Sequence, residues 1–101
     1  MNSIRRAEID ELRATARRIS VIAEDYYSEY TAMYGVIEDN LRYVWVGPDS
    51  DSFVENVEGV KYKFKNMYDT MKSYERFLYD VAQKYEEQAR QMEEESKNII
   101  F

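Results

Sequence analysis

The sequence predicts an all-α chain, and within that class an antiparallel hairpin of two long helices. Three observations point there. Helix-breaking residues are scarce, with one Pro and three Gly in 101 residues. Apolar residues recur at alternating steps of three and four on both sides of a single break. The break itself gathers Gly, Pro and short polar side chains. A chain of this length is expected to fold as one domain, residues 1–101, around one core.

The first helix is expected over about residues 3–43. Its series runs Ile9, Leu12, Ala16, Ile19, Ala23, Tyr26, Tyr30, Met33, Ile37 and Val44, with Asn40 as the one polar member. That spacing puts an apolar stripe along one helix face, as in a heptad seam. Ser3 offers a side-chain oxygen for the N-cap.

The turn is expected over about residues 44–51. Gly47 can adopt the left-handed conformation that ends a helix, and Pro48 lacks the backbone N–H needed to continue one. Asp49, Ser50, Asp51 and Ser52 offer caps for the next helix. Trp45 is expected to bury its ring against Phe53 or its neighbours.

The second helix is expected over about residues 52–95. Its series runs Phe53, Val57, Val60, Phe64, Met67, Met71, Tyr74, Leu78, Val81, Tyr85 and Met92, with Gln88 polar. Gly35 and Gly59 fall off both series and read as tolerated surface positions. Glu93, Glu94 and Glu95 oppose the negative end of the helix dipole, and Lys97 offsets part of that. Residues 96–101 are therefore expected to be a mobile tail, with Ile99, Ile100 and Phe101 as a candidate docking cluster.

Two stripes facing each other leave their shoulders exposed, and here the shoulders are apolar as well. The candidate partner-binding residues are Tyr27, Tyr34, Leu41 and Tyr43 on the first helix and Tyr68, Phe77 and Tyr79 on the second. Stripes this wide suit a dimer with a four-helix bundle core. The plain alternative is a set of scattered surface tyrosines.

Composition narrows the function. A net charge of −6 without a basic stripe argues against nucleic acid. No apolar run approaches the length of roughly 20 residues that spans a bilayer, and Met1 to Asp10 lacks the apolar stretch of a signal peptide. With no His and no Cys, the commonest general base, thiolate nucleophile and transition-metal ligands are missing. No catalytic residue, metal site, cofactor or small-molecule substrate is expected.

Trp45-Val46-Gly47 is a weak signal as a bare tripeptide. Its place near mid-chain, between two heptad-patterned helices and just before Pro48, gives it weight. The whole chain resembles the WXG-100 family of early-secreted-antigen-like proteins of bacterial type VII secretion. The resemblance implies a non-enzymatic hairpin that dimerises with itself or with a homologous hairpin, with a large secreted toxin and the pathway's membrane ATPase as further candidate partners. It also implies export from the cytoplasm without a general secretory signal. One feature departs from the family. The Tyr-x-x-x-Asp/Glu export signal that many members carry after the second helix is not completed by Tyr74, Tyr79 or Tyr85, which are followed four residues on by Leu78, Gln83 and Ala89.

Three functions compete: a secreted substrate acting as a dimer, an adaptor for the helical N-terminal domain of a large type VII toxin that need not leave the cytoplasm, and an unrelated structural coiled coil. A helix continuous through residues 45–52 would favour the last.

Overall fold

A computed structural model describes residues 2–99, and every regular element among them is helical. In chain order these are α1 (Asn2–Gly35), a π-helical turn (Val36–Leu41), α2 (Arg42–Val44), α3 (Pro48–Gly59) and α4 (Lys61–Ile99). The chain divides into two compact units. The turn unit is Val21–Met71, and the terminal unit is Met1–Ser20 with Lys72–Phe101.

The turn unit is a helical hairpin in itself. Only three residues, Trp45 to Gly47, leave the helical conformation at its corner, so the turn is shorter than the expected 44–51. Gly47 stands at φ 139°, ψ 178°, a region that a side chain disfavours, and it acts as the N-cap of α3 instead of terminating the first helix. Pro48 follows at the first helical position, where its missing N–H costs no bond. Asp49 and Asp51 therefore lie inside the first turn, where their charge meets the positive end of the helix dipole. The backbone N–H of Asp51 closes that turn on the Gly47 carbonyl at 3.0 Å.

The second helix is interrupted where one continuous element was expected. Val60, at φ −107° and ψ 3°, separates α3 from α4 just after Gly59. Gly59 thus marks a helix end, where it costs less than in a helix interior. At the other end α4 runs to Ile99, past the expected limit of residue 95, with Lys97 in its last turn opposing the negative dipole end. Ser3 lies within α1 and not at its cap. Ile100 and Phe101, two of the three candidate tail-docking residues, lie outside the described residues.

The first apolar series holds from Ile9 to Tyr30. Ile9, Ala16, Ala23 and Tyr30 are buried and Leu12, Ile19 and Tyr26 half-buried. Beyond Tyr30 the inward row continues through Tyr34, Ile37 and Leu41, while Met33, Asn40 and Val44 face outward. The π-helical turn over Val36–Leu41 lies within this stretch, and it carries the chain toward the corner with a phase that a strict heptad does not predict.

The second series needs a larger correction. The row Val57, Phe64, Met71, Leu78 and Tyr85 faces inward as expected. The other expected row does not: Phe53, Val60, Met67 and Tyr74 are exposed, the last two by 50% and 58%. Its place is taken one residue later by Val54, Lys61, Tyr68, Glu75 and Ala82. Val54 and Ala82 are buried, Tyr68 and Glu75 half-buried, and Lys61 reaches across to the first helix. The physical reason lies on α1 and the π-helical turn. They present Glu24 and Glu38, which take the polar tips of Tyr68 and Lys61, while Glu75 pairs with Lys72 on its own helix, and these bonds let the stems of the row lie in the seam.

Candidate interaction surface

The turn unit closes around an aromatic stack. Phe64 of α4 lies between Tyr26, Tyr30 and Tyr34 of α1, with ring centroids at 6.3, 5.5 and 5.8 Å. Tyr34 is only 2% exposed, and its hydroxyl donates 2.8 Å to the Val57 carbonyl. Burial pushes its phenol above the ordinary range. Tyr34 therefore belongs to the core and not to the shoulder where the sequence pattern placed it.

One edge of this unit is stitched by polar pairs. Tyr68 donates 2.8 Å to Glu24, and Lys61 lies 3.2 Å from Glu38 and 5.0 Å above the Tyr34 ring. Tyr27 packs its ring on Tyr30 and Tyr68 at 5.4 and 5.0 Å. Tyr68, offered as a partner-binding residue, is thus half-buried in internal pairing, and Tyr27 is partly spent the same way. Ile22 and Met33 on α1 and Val36 at the start of the π-helical turn are exposed, as is Met67 on α4. At 3.6 residues per turn, Ile22 and Glu24 flank the buried Ala23 on opposite sides, as Met67 and Tyr68 flank the inward row of α4.

The terminal unit is built from smaller residues. Ile9, Ala16 and Ala82 have no exposed surface, so the two helices approach over alanine. Its polar edge carries Glu86, paired to Arg6 at 2.5 Å and to Arg13 at 3.7 Å, and Lys72, whose Nζ lies 3.5 Å from the Ser20 hydroxyl. The hydrogen bond from Arg6 holds the Glu86 carboxyl below its usual range. Leu12, Thr15, Leu78, Val81 and Tyr85 line an open groove of about 360 Å³ with Glu8 and Glu11 at the rim. Arg13 and Thr15 flank Ala16 on opposite sides, as Glu86 and Val81 flank Ala82, so groove and ion pairs take opposite edges. Phe77 is exposed beyond the groove, and Tyr79 is half-buried.

At the corner Trp45 keeps its expected neighbour. Its ring lies 5.8 Å from that of Phe53, and its backbone carbonyl accepts a 2.7 Å hydrogen bond from the buried Ser50 hydroxyl. The ring is 39% exposed, however, so the corner does not bury it fully. Tyr43, Val44 and Val46 beside it are largely exposed, and Leu41 is half-buried. Ser50 was expected as a cap candidate for the next helix, and its bond back to the Trp45 carbonyl was not foreseen. Its signal was a hydroxyl five residues past the Trp, inside a run of other short polar side chains with equal claims.

This corner, Trp-x-Gly between two helices, is the feature after which a protein family is described. The family model for proteins of 100 residues with WXG matches residues 6–98 of the chain. The chain belongs to the WXG100 family. This is a family of small helical secretion substrates, not known as enzymes, whose members typically dimerise. Membership suggests a substrate of type VII secretion. No curated protein and no solved structure matches the chain. Among the described residues, no helix is long and apolar enough to cross a membrane.

Proposed function

We propose that this WXG100 protein is a non-enzymatic secreted substrate of type VII secretion that acts through helix–helix recognition, its open apolar edges covered by a second hairpin in a four-helix bundle. The observation that carries this reading is the unsatisfied apolar row that starts at Val60 and continues along α4. Val60, Met67, Tyr74 and Val81 recur every seven residues, yet the chain's own first helix covers none of the first three. A solvated helix face has no physical reason to repeat Val, Met and Tyr at that period, whereas a bundle seam does. The occupant is a second copy or a homologous hairpin.

Candidate recognition residues are those that the chain leaves uncovered. They are Tyr43 and Trp45 at the corner, Phe77 on α4, and Tyr27 and Tyr79 in part; Leu41 contributes where it emerges beside the corner. Sedimentation equilibrium at micromolar concentration tests the assembly. A dimer is expected, and Met67→Glu with Val81→Glu should yield a helical monomer. A wild-type monomer that melts cooperatively would overturn self-association.

That none of Tyr74, Tyr79 and Tyr85 completes a Tyr-x-x-x-Asp/Glu signal favours a second reading. In it the hairpin is an adaptor that covers the helical N-terminal domain of a large toxin and presents a composite surface to the membrane ATPase. Affinity capture of the tagged protein from its host separates the two readings, since the first expects a hairpin of similar size and the second a much larger chain. The non-helical residues at 45–47 and the family match argue against an uninterrupted coiled coil.

A further inference from the structure

The corner holds a second feature, which the open edges do not explain. Beside Trp45 lies a cleft of about 380 Å³, with Trp45 and Arg42 on one wall and α3 on the other. The buried Val54 contributes to its lining, and Asp51, Glu55 and Glu58 project from α3 around it. These three carboxylates fall at i, i+4 and i+7, so a single face of α3 presents all of them. The helix dipole accounts for Asp51, which sits in the first turn, and Glu58 faces the Glu38 carboxyl, but neither explains Glu55.

Nor do the carboxylates balance internally. Arg42 is the one cation lining the cleft against three acidic groups. Lys61, the other nearby cation, is engaged with Glu38. Asp51 and Glu55 stand exposed at the rim. Next to them is an aromatic face held in place by its contact with Phe53 and by the Ser50 bond to the Trp45 backbone.

We propose that this cleft takes the side chain of an arginine presented by a partner protein. The alkyl stem would lie over Val54 and the guanidinium against the Trp45 ring, with its fork on Asp51 and Glu55. A guanidinium suits this wall better than an ammonium because it stacks on an indole and bonds carboxylates two at a time. An anionic guest meets the like charges of Asp51 and Glu55, and an apolar guest desolvates them without supplying a partner. The site lies wholly within the turn unit and does not depend on what covers the open edges. A partner that read it would be recognising the Trp-x-Gly corner itself, through charge as well as shape.

The 101-residue chain supplies its own probe, because Trp45 is its only tryptophan. It is titrated with a capped Gly-Arg-Gly peptide and with the same peptide carrying citrulline, which keeps the shape and removes the charge. The expected result is a saturable change in Trp45 emission with the arginine peptide, in the millimolar range, that weakens as salt rises. Asp51→Asn with Glu55→Gln should weaken it about tenfold at unchanged helical content, and Glu55→Gln alone should weaken it less. An equal response to the citrulline peptide, an undiminished response in Glu55→Gln, or no saturable response would each overturn the proposal.

Discussion

The two units are built on the same heptad spacing but fill it differently. Val21–Met71 packs four aromatic rings, Tyr26, Tyr30, Tyr34 and Phe64, and anchors one of them by a hydrogen bond to the Val57 carbonyl. The terminal unit buries Ile9 and two alanines, and its cross-helix polar bonds sit at partly exposed positions. Large rings bury more apolar surface per residue than alanine does, and exposed ion pairs contribute little. The turn unit is therefore expected to carry most of the stability of the isolated chain. The terminal unit, with its open groove, has the more to gain from a partner.

The comparison breaks most visibly at Tyr34. Tyr34→Ala removes a buried ring and is expected to cost about 3 to 5 kcal/mol. Tyr34→Phe, which loses only the bond to Val57, is expected to cost about 1 kcal/mol. Urea unfolding followed by circular dichroism gives both numbers. A small loss for the alanine variant would mean that the aromatic stack is not the anchor of its unit.

In the terminal unit the corresponding probe is enlargement. Ala82 has no exposed surface, so Ala82→Leu is expected to force the helices apart and cost about 1 to 3 kcal/mol. A neutral or stabilising outcome would show that this seam is loose enough to accept side chains, and that the alanines do not set the helix separation.

How far the sequence revealed this arrangement differs between the rows. The row that ends at Tyr30 and the row Val57, Phe64, Met71, Leu78 and Tyr85 were legible because every competing register is less apolar. The row of Val54, Lys61, Tyr68, Glu75 and Ala82 was not, because a hydropathy pattern ranks Phe53, Val60, Met67 and Tyr74 above it. Only knowledge of the partners of Lys61 and Tyr68, Glu38 and Glu24, reverses that ranking, and those partners lie more than twenty residues away in sequence. The Trp45 to Gly47 corner was legible from Gly and Pro. Its acidic cleft was not, since Asp51 reads as one of four cap candidates and no sequence signal sets Glu55 and Glu58 beside Trp45 and Arg42.

Gly47 offers a backbone test at the corner. Nothing lies within 4 Å of where its Cβ would be, so Gly47→Ala meets no steric obstacle beyond its own chain. Any cost then comes from holding alanine at φ 139°, expected at about 1 to 3 kcal/mol. Gly59→Ala meets no neighbour either and has an ordinary backbone, so it is expected to be neutral or mildly stabilising. Equal effects of the two substitutions on the melting temperature would show that the corner relaxes to accommodate a side chain.

The smallest effect expected is one of pH, and it arises from Glu38 and Glu58. The hydrogen bond between their carboxyls raises Glu58 above the usual carboxylate range, while the same bond and Lys61 hold Glu38 below it. The two shifts act in opposite directions on stability. Glu58, raised on folding, contributes stability that is present below its unfolded pKa and lost as pH rises through its folded value. Glu38, lowered on folding, contributes stability that is present above its unfolded pKa and lost as pH falls through its folded value. Glu58→Gln keeps a hydrogen-bond donor facing Glu38 at every pH and removes only the first contribution. It should therefore melt above wild type near neutral pH, with the difference shrinking as acidification protonates Glu58 in the wild-type protein. A difference in melting temperature that stayed constant across the acidic range would show that the two carboxyls do not share a proton, and that the pair is held by Lys61 alone.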